Sequence, residues 1–155
     1  MDTDAIVISQ TVAWIKSVVI DCHFCPFASK AMLKKSIRYV VVHDADIENT
    51  LPALLLELKF MDNNDQVETT FIILPDRFDD FIKYLDLVNM AEALVTIEGY
   101  DGIYQIASFH PQYSFAGTDN DDPANYTNRS IYPMLHVLRE ESISQAIDHY
   151  GNTER

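Results

Sequence analysis

The sequence predicts an α/β fold in which helices pack on a small, mostly parallel three-stranded sheet, with residues 1–155 forming a single domain. Three apolar runs of strand length alternate with longer segments in which apolar residues recur at helical spacing. A chain of 155 residues with 48% hydrophobic residues has the size of one domain and can bury most of its apolar surface. Such an alternation favours right-handed crossovers, although one strand of so small a sheet can be antiparallel.

The first third of the chain predicts two helices followed by a strand. Apolar residues at helical spacing indicate a helix over residues 5–20, and Pro26 marks the break before a second, short helix that ends near Lys35. The run from Arg38 to His43 is continuous and rich in valine, which predicts a strand buried on both faces.

The middle of the chain continues the alternation. Residues 51–61 predict a helix, in which Pro52 is tolerable only in the first turn. The run 69–74 predicts the second strand, and residues 77–96 predict a helix with Asp76 as its N-cap.

The last third predicts one strand, one long loop and two helices. Residues 103–109 predict the third strand, and a loop spans residues 110–130. Pro133 predicts the start of a helix through Glu140, and the capping box that begins at Ser142 predicts a final helix.

The charge of the chain argues against two classes of partner. A formal net charge of −13 repels the phosphates of nucleic acids and of acidic membrane surfaces, so we expect neither as a partner. The first residues lack the positive region of a secretory signal, and no apolar run is long enough to cross a bilayer. We therefore expect a cytoplasmic protein with reduced cysteines and no cofactor.

The long loop is the predicted location of the functional site. It leaves the carboxyl end of the third predicted strand, where open α/β sheets bind ligands. Loops of about 20 residues are uncommon unless they are functional or disordered, and the aromatic residues of this loop disfavour disorder. A loop that only covers the sheet is the alternative.

Two side chains are candidates for catalysis. Cys25 precedes the proline that begins the second predicted helix, where free backbone amides and Lys30 would stabilise a thiolate, and His110 opens the long loop. Cys22 and Cys25 have redox-pair spacing, but a helix rather than a strand is predicted before them, so both can instead be buried apolar residues. Metal binding by His110 with Asp119, Asp121 or Asp122 is a further alternative, although no second pair of ligands supports a structural zinc site.

The predicted substrate-binding residues follow in the loop and in the helix after it. Arg129 has a planar fork that matches a carboxylate or phosphate group, and this predicts a small anionic molecule as the ligand. Alternatively, Arg129 pairs with Asp121 or Asp122 and pins the loop. The neighbouring polar residues that can orient a ligand are Asn125, Tyr126, Asn128, His136 and Arg139, the last two at helical spacing.

Several strings of this chain resemble a known family. The strings FHP (109–111), FAGT (115–118), NYTNRS (125–130) and YPMLH (132–136) resemble the mainly bacterial domain-of-unknown-function family 1415. The resemblance covers nearly the whole chain and implies a single cytosolic domain, but it implies no activity. Members of that family carry an aliphatic residue at the position of Cys22, which weakens the redox-pair hypothesis.

Together these patterns lead to a functional hypothesis with a clear alternative. We expect acyl-type transfer or hydrolysis of a small anionic molecule, with Cys25 or His110 as nucleophile or base and Arg129 as a clamp. A binding module without catalysis, which recognises a metabolite or a protein through the same loop, is the alternative.

Overall fold

The computed structural model describes residues 3–20 and 36–141 of the chain. In this part the predicted α/β class is confirmed, with three α-helices and one open sheet of four strands. The helices are α1 (Thr3–Trp14), α2 (Ile47–Asp62) and α3 (Phe81–Ile97). The strands are β1 (Ile37–Val41), β2 (Thr69–Ile73), β3 (Tyr104–Phe109) and β4 (Met134–Arg139). A π-helix (Ile15–Ile20) extends α1, and a 3₁₀-helix (Pro123–Asn128) lies in the long loop.

The sheet has the strand order β1-β2-β4-β3. β1 and β2 are parallel and joined through α2, whereas β4 is antiparallel to both of its neighbours. The prediction of three mostly parallel strands is therefore wrong, because the described residues form four strands and two of their three pairings are antiparallel. As a result, β1, β2 and β3 all end at the same side of the sheet, which we call the carboxyl edge.

The predicted helix over residues 133–140 is the main error, because this segment forms β4. Met134, Leu135 and Val137 are fully buried and His136 nearly so, between β2 and β3. A strand buried on both faces has no alternating pattern, and its leucines and methionine are also good helix formers. Pro133 suits the position before a strand as well as the first turn of a helix.

Helices cover both faces of the sheet. On one face α2 and α3 pack against the sheet, with Leu54, Leu58 and Leu87 in the same buried cluster as Leu135 and Val137. On the other face α1 contributes Val7 and Trp14 to a cluster with Phe71, Ile73 and Met134. The side chains of β4 therefore alternate between two cores, as the period of a strand requires.

The two helices on the same face begin at aspartate caps. Asp46 and Asn49 form a capping box that begins α2 at Ile47, so Pro52 lies inside the helix rather than in its first turn. Asp80 caps α3, since its carboxylate accepts hydrogen bonds from the amides of Ile82 and Lys83. The prediction that Asp76 is this cap is wrong.

Some predictions fall outside the described residues. They concern the helix that ends near Lys35, the helix that begins at Ser142, and the cysteines Cys22 and Cys25. None of the helices in the described ranges combines the length and apolar character needed to cross a membrane.

Candidate functional site

Asn125 organises the interior of the long loop. Its side chain is buried, and its Oδ1 accepts hydrogen bonds from the amide of Phe115 at 2.8 Å and from the hydroxyl of Thr118 at 3.2 Å. Its Nδ2 donates to the carbonyl of Asp119 at 2.9 Å. These bonds satisfy both ends of the Asn125 amide within the loop.

Arg129 joins two parts of the same loop. Its Nε donates to the carbonyl of Tyr113 at 2.9 Å and its Nη2 to the carbonyl of Asn120 at 2.5 Å. Its guanidinium lies 4.8 Å from the ring centroid of the exposed Tyr126. These are the contacts of a side chain that pins a loop, through carbonyls rather than through the carboxylates predicted as alternative partners.

His110 is fully buried at the start of the loop. Its Nε2 lies 2.7 Å from the carbonyl of Phe78, and its Nδ1 accepts the amide of Gln112 at 3.0 Å. Since Nδ1 accepts, the proton is on Nε2 and the ring is neutral. Burial lowers the pKa of His110. Near the other end of the loop, the Asn128 side chain donates to the carbonyl of Ser108 at 2.9 Å.

His136 faces the α1 side of the sheet and is almost fully buried. Its Nε2 lies 2.7 Å from the hydroxyl of Thr69, which in turn donates to the carbonyl of Val137 at 2.5 Å. The ring stacks on Phe71 with 3.9 Å between centroids. Burial lowers the pKa of His136 to about 3, so the imidazole is neutral at physiological pH.

Arg139 points to the opposite face, because residues three apart on a strand lie on different faces. Its Nε donates to the carbonyl of Val67 at 2.9 Å, and its Nη2 to the carbonyls of Met61 at 2.6 Å and Asn64 at 3.2 Å. The prediction that His136 and Arg139 lie on one helix is therefore wrong. The strand separates these two side chains.

The structure thus brings only part of the predicted site together. The residues that share the hydrogen-bonded long loop are His110, Asn125, Tyr126, Asn128 and Arg129. His136 and Arg139 belong to the sheet, and Cys25 lies outside the described residues. The functional roles of all these residues stay predictions.

A second group of polar side chains lies at the carboxyl edge, directly after β1 and β2. His43 follows β1 and Asp76 follows β2, and the Nδ1 of His43 is 3.1 Å from Oδ2 of Asp76. The Nε2 of His43 contacts Oδ1 of Asp4, in the first turn of α1. The hydrogen bonds from Asp4 and from Asp76 raise the pKa of His43. His43 is a half-exposed imidazole between two carboxylates, which favour its protonated form.

The turns that carry these residues hold unfavourable backbone conformations. Asp44 has a φ of 51° and Phe78 a φ of 63°, and among the described residues no other non-glycine has a positive φ. The amide of Asp44 donates to Oδ1 of Asp76 at 2.8 Å, which links the two turns. Strained backbone of this kind persists where surrounding contacts enforce it, and it is concentrated at functional sites.

An open cleft of about 600 Å³ lies between the two turns and the first residues of α2 and α3. This volume is within the range of small-molecule sites. Two of its carboxylates, Asp46 and Asp80, already cap helices. The lining residues are Ala45, Asp46, Ile47, Glu48, Arg77, Phe78, Asp79, Asp80, Lys83 and Asp86.

Sequence reasoning overlooked this cleft, although a usable signal was present. His43 and Asp76 each follow a continuous apolar strand, so the rule that pointed to the loop after β3 applies equally to the turns after β1 and β2. Their partnership across 33 positions in the sequence requires the parallel pairing of β1 with β2.

The metal-site alternative finds no support in the described ranges. No group of three or more histidine, cysteine, aspartate or glutamate side chains within them is arranged to hold a metal ion. The carboxylates of Asp4 and Asp76 bind different nitrogens of His43 and so lie on different sides of its ring.

Comparison with known proteins gives the relationship of the chain but no activity. No curated protein matches the chain significantly, and no solved structure does. The model of one family, described as a protein of unknown function (DUF1415), matches residues 6–155. The match covers nearly the full sequence and agrees with the resemblance of the NYTNRS and FHP strings, so the chain belongs to the DUF1415 family.

Proposed function

We propose that the protein binds a small polar molecule in the cleft at the carboxyl edge, with His43 and Asp76 as an acid–base pair beside it. One observation carries this proposal. The turns after two parallel neighbouring strands exchange a histidine–aspartate contact, and other residues of both turns line an open cleft at the edge where α/β sheets bind ligands. The side chains of Asn125 and Arg129 in the long loop are instead engaged with the backbone of the loop itself.

The charges of the cleft bear on the class of ligand. Five carboxylates and two cations, Arg77 and Lys83, line it. Even without the two helix caps, the carboxylates of Glu48, Asp79 and Asp86 outnumber the cations. The excess of carboxylates favours a ligand that carries an ammonium group or several hydroxyl groups. The anionic ligand predicted from the sequence would instead bind to Arg77 and Lys83.

Hydrolysis or acyl transfer is the second candidate function, supported by the orientation of His43. A carboxylate on Nδ1 fixes the imidazole ring and leaves Nε2 as the nitrogen for proton transfer. Because Nε2 contacts Asp4, catalysis requires Asp4 to move away. The role of Cys25 as nucleophile stays a prediction. Because Arg129 donates to two carbonyls of the loop, its contacts favour a role in holding the loop over a role in binding an anionic ligand.

A binding experiment with matched variants tests the proposal. The ¹⁵N-labelled protein is titrated with ethanolamine, glycerol, acetate and inorganic phosphate, which represent cations, polyols and two kinds of anion. We expect at least one probe to shift the amide resonances of residues 43–48 and 76–83. Asp76→Asn removes the acceptor of His43 and should weaken that binding by about tenfold.

Asp121→Asn is the matched control, because Asp121 is an exposed loop residue outside the cleft lining. It removes the same charge and should leave binding of the probe unchanged. The proposal is wrong if the probes shift only residues 110–130, if no probe shifts any amide, or if both variants weaken binding equally.

A further inference from the structure

His110 connects the long loop to the wall of the cleft. Its side-chain Nε2 reaches the carbonyl of Phe78, which lines the cleft. Its own backbone closes the base of the loop, since its amide donates to the carbonyl of Asn128 at 3.1 Å and its carbonyl accepts from the amide of Ser130 at 3.4 Å. One residue therefore contacts both the loop and the turn after β2.

The turn after β2 needs such a support because Phe78 is held in the left-handed region. A φ of 63° is unfavourable for a residue with a bulky side chain, so other contacts must enforce it. The Phe78 side chain is partly buried against the core formed with α2 and α3. Its carbonyl is the group that His110 fixes.

The surroundings of His110 fix the direction of its ring. The ring lies 5.2 Å from the ring of Phe81 and 4.9 Å from the ring of Tyr84, measured between centroids. Because Nδ1 accepts the amide of Gln112, only Nε2 can donate, and it faces the Phe78 carbonyl. A neutral imidazole in one tautomer and one orientation therefore holds the turn.

We propose that His110 is a positioning residue for the cleft, donating from Nε2 to the carbonyl of Phe78 and so holding the turn over residues 76–80 in its left-handed shape. The long loop then supports this turn through His110, and the hydrogen bonds of Asn125 and Arg129 maintain the conformation of the loop. The consequence for ligand binding rests on the proposed function, whereas the effect on the turn does not.

Two substitutions at His110 separate its two hydrogen bonds. His110→Gln is long enough to keep a donor at the Phe78 carbonyl but loses the acceptor for Gln112. His110→Asn keeps an acceptor for the amide two residues ahead but is too short to reach Phe78. If His110 acts through Phe78, then His110→Asn should disturb the cleft and His110→Gln should preserve most of it.

The measurement combines a readout of the turn with a readout of binding. The ¹³Cα and ¹³Cβ shifts of Phe78 report its left-handed backbone, and they should leave that range in His110→Asn but not in His110→Gln. The affinity for the probe that binds best among ethanolamine, glycerol, acetate and phosphate should fall by about tenfold in His110→Asn and by less in His110→Gln. A general loss of packing would move both variants equally, and that result would overturn the proposal.

The two proposals fail in different ways. If no probe binds the wild type but the Phe78 shifts respond only to His110→Asn, the positioning role holds and the proposed function fails. If a probe binds and His110→Asn leaves the Phe78 shifts and the affinity unchanged, the positioning role fails. Should both variants unfold, the wild-type imidazole ¹⁵N spectrum decides: a slowly exchanging proton on Nε2 of His110 supports the proposal, and a proton on Nδ1 overturns it.

Discussion

At the scale of single residues, the histidine at the candidate site differs in protonation from the histidines buried elsewhere in the fold. His110 and His136 are buried, and burial holds the pKa of each below the ordinary value. His43 is half exposed, and hydrogen bonds with Asp4 and Asp76 raise its pKa. Among these three histidines, His43 alone is placed to carry a proton near neutral pH and to meet solvent.

The raised pKa of His43 is open to direct measurement. Asp4→Asn and Asp76→Asn should each lower the pKa of His43 toward its ordinary value, because each removes one carboxylate that favours the imidazolium. The pKa is followed through the imidazole proton resonances in an NMR titration. Asp121→Asn serves as the control and should leave that pKa unchanged.

The sign of the effect on stability follows from the direction of the shift. A pKa that is higher in the folded state means that the ion pairs of His43 stabilise the fold fully below the unfolded pKa of about 6.5. This contribution is lost as the pH rises through the raised folded pKa. A titration that finds the ordinary pKa at His43 in the wild type would contradict the geometry of its two carboxylates.

At the scale of elements, Arg139 ties the end of α2 to β4. Its guanidinium donates to the carbonyls of Met61, Asn64 and Val67, which lie at the end of α2 and in the connection to β2. The carbonyl of Met61 also accepts the amide of Asn64 at 3.3 Å, and the carbonyl of Asn64 accepts the amide of Val67 at 3.0 Å, so Arg139 adds a further hydrogen bond to each of these carbonyls where the helix ends. The contacts explain why an arginine lies on a strand of the central sheet.

Arg139→Lys should therefore destabilise the fold. A lysine ammonium cannot reproduce the planar fork that serves several carbonyls, and the loss should be about 1–3 kcal/mol in the free energy of unfolding. Urea denaturation measures it. Arg77→Lys is the matched control, since Arg77 has an exposed side chain and its ion pair with Asp44 is long, at 3.7 Å. Equal stability of the two variants would show that the Arg139 contacts do not anchor α2.

Elements also show where sequence reasoning succeeds and where it fails. β1 and β2 were predictable because Tyr39-Val40-Val41 and Thr69-Thr70-Phe71-Ile72-Ile73 are runs rich in β-branched residues. β4 was not, because its burial on both faces removes the alternation that would mark a strand, and Met134, Leu135 and Leu138 suit a helix equally. A prediction that makes this segment a helix leaves the sheet without its central antiparallel strand.

At the scale of the whole molecule, the buried histidines His110 and His136 predict one contribution to the dependence of stability on pH. An unfolded histidine binds a proton near pH 6.5, whereas the pKa of folded His136 is about 3 and that of His110 is also lowered. Between these values the unfolded chain binds more protons, so the stability falls as the pH falls. The slope has the opposite sign to the contribution of His43.

His136→Gln should flatten this dependence. The variant lacks the titrating group, so its stability should fall less than that of the wild type between pH 6.5 and pH 4, with a difference of roughly 2–3 kcal/mol. Urea denaturation over this range of pH gives the comparison. Parallel curves for the two proteins would mean that His136 is protonated in the fold or exposed to water.

The whole molecule also explains why the cleft at the carboxyl edge was not predicted from sequence. The rule that ligands bind at the carboxyl ends of strands applies to β1, β2 and β3 alike. The loop after β3 is the richest of the three connections in polar residues, and composition therefore favoured it as the predicted site. Those polar residues include Asn125 and Arg129, whose hydrogen bonds are needed to order a long irregular segment. His43 and Asp76 are 33 positions apart in the sequence and belong to no motif that links them. The parallel pairing of β1 with β2 brings them together.

Crystallographic soaking with ethanolamine, glycerol, acetate and phosphate tests the central claim most directly, because it shows where a small polar molecule binds. Our account predicts a probe in the cleft between the turns after β1 and β2, in contact with Arg77, Lys83 or the carboxylates of Glu48, Asp79 and Asp86. A probe held instead by Arg129 and Tyr126 in the long loop, with the cleft empty, would contradict it.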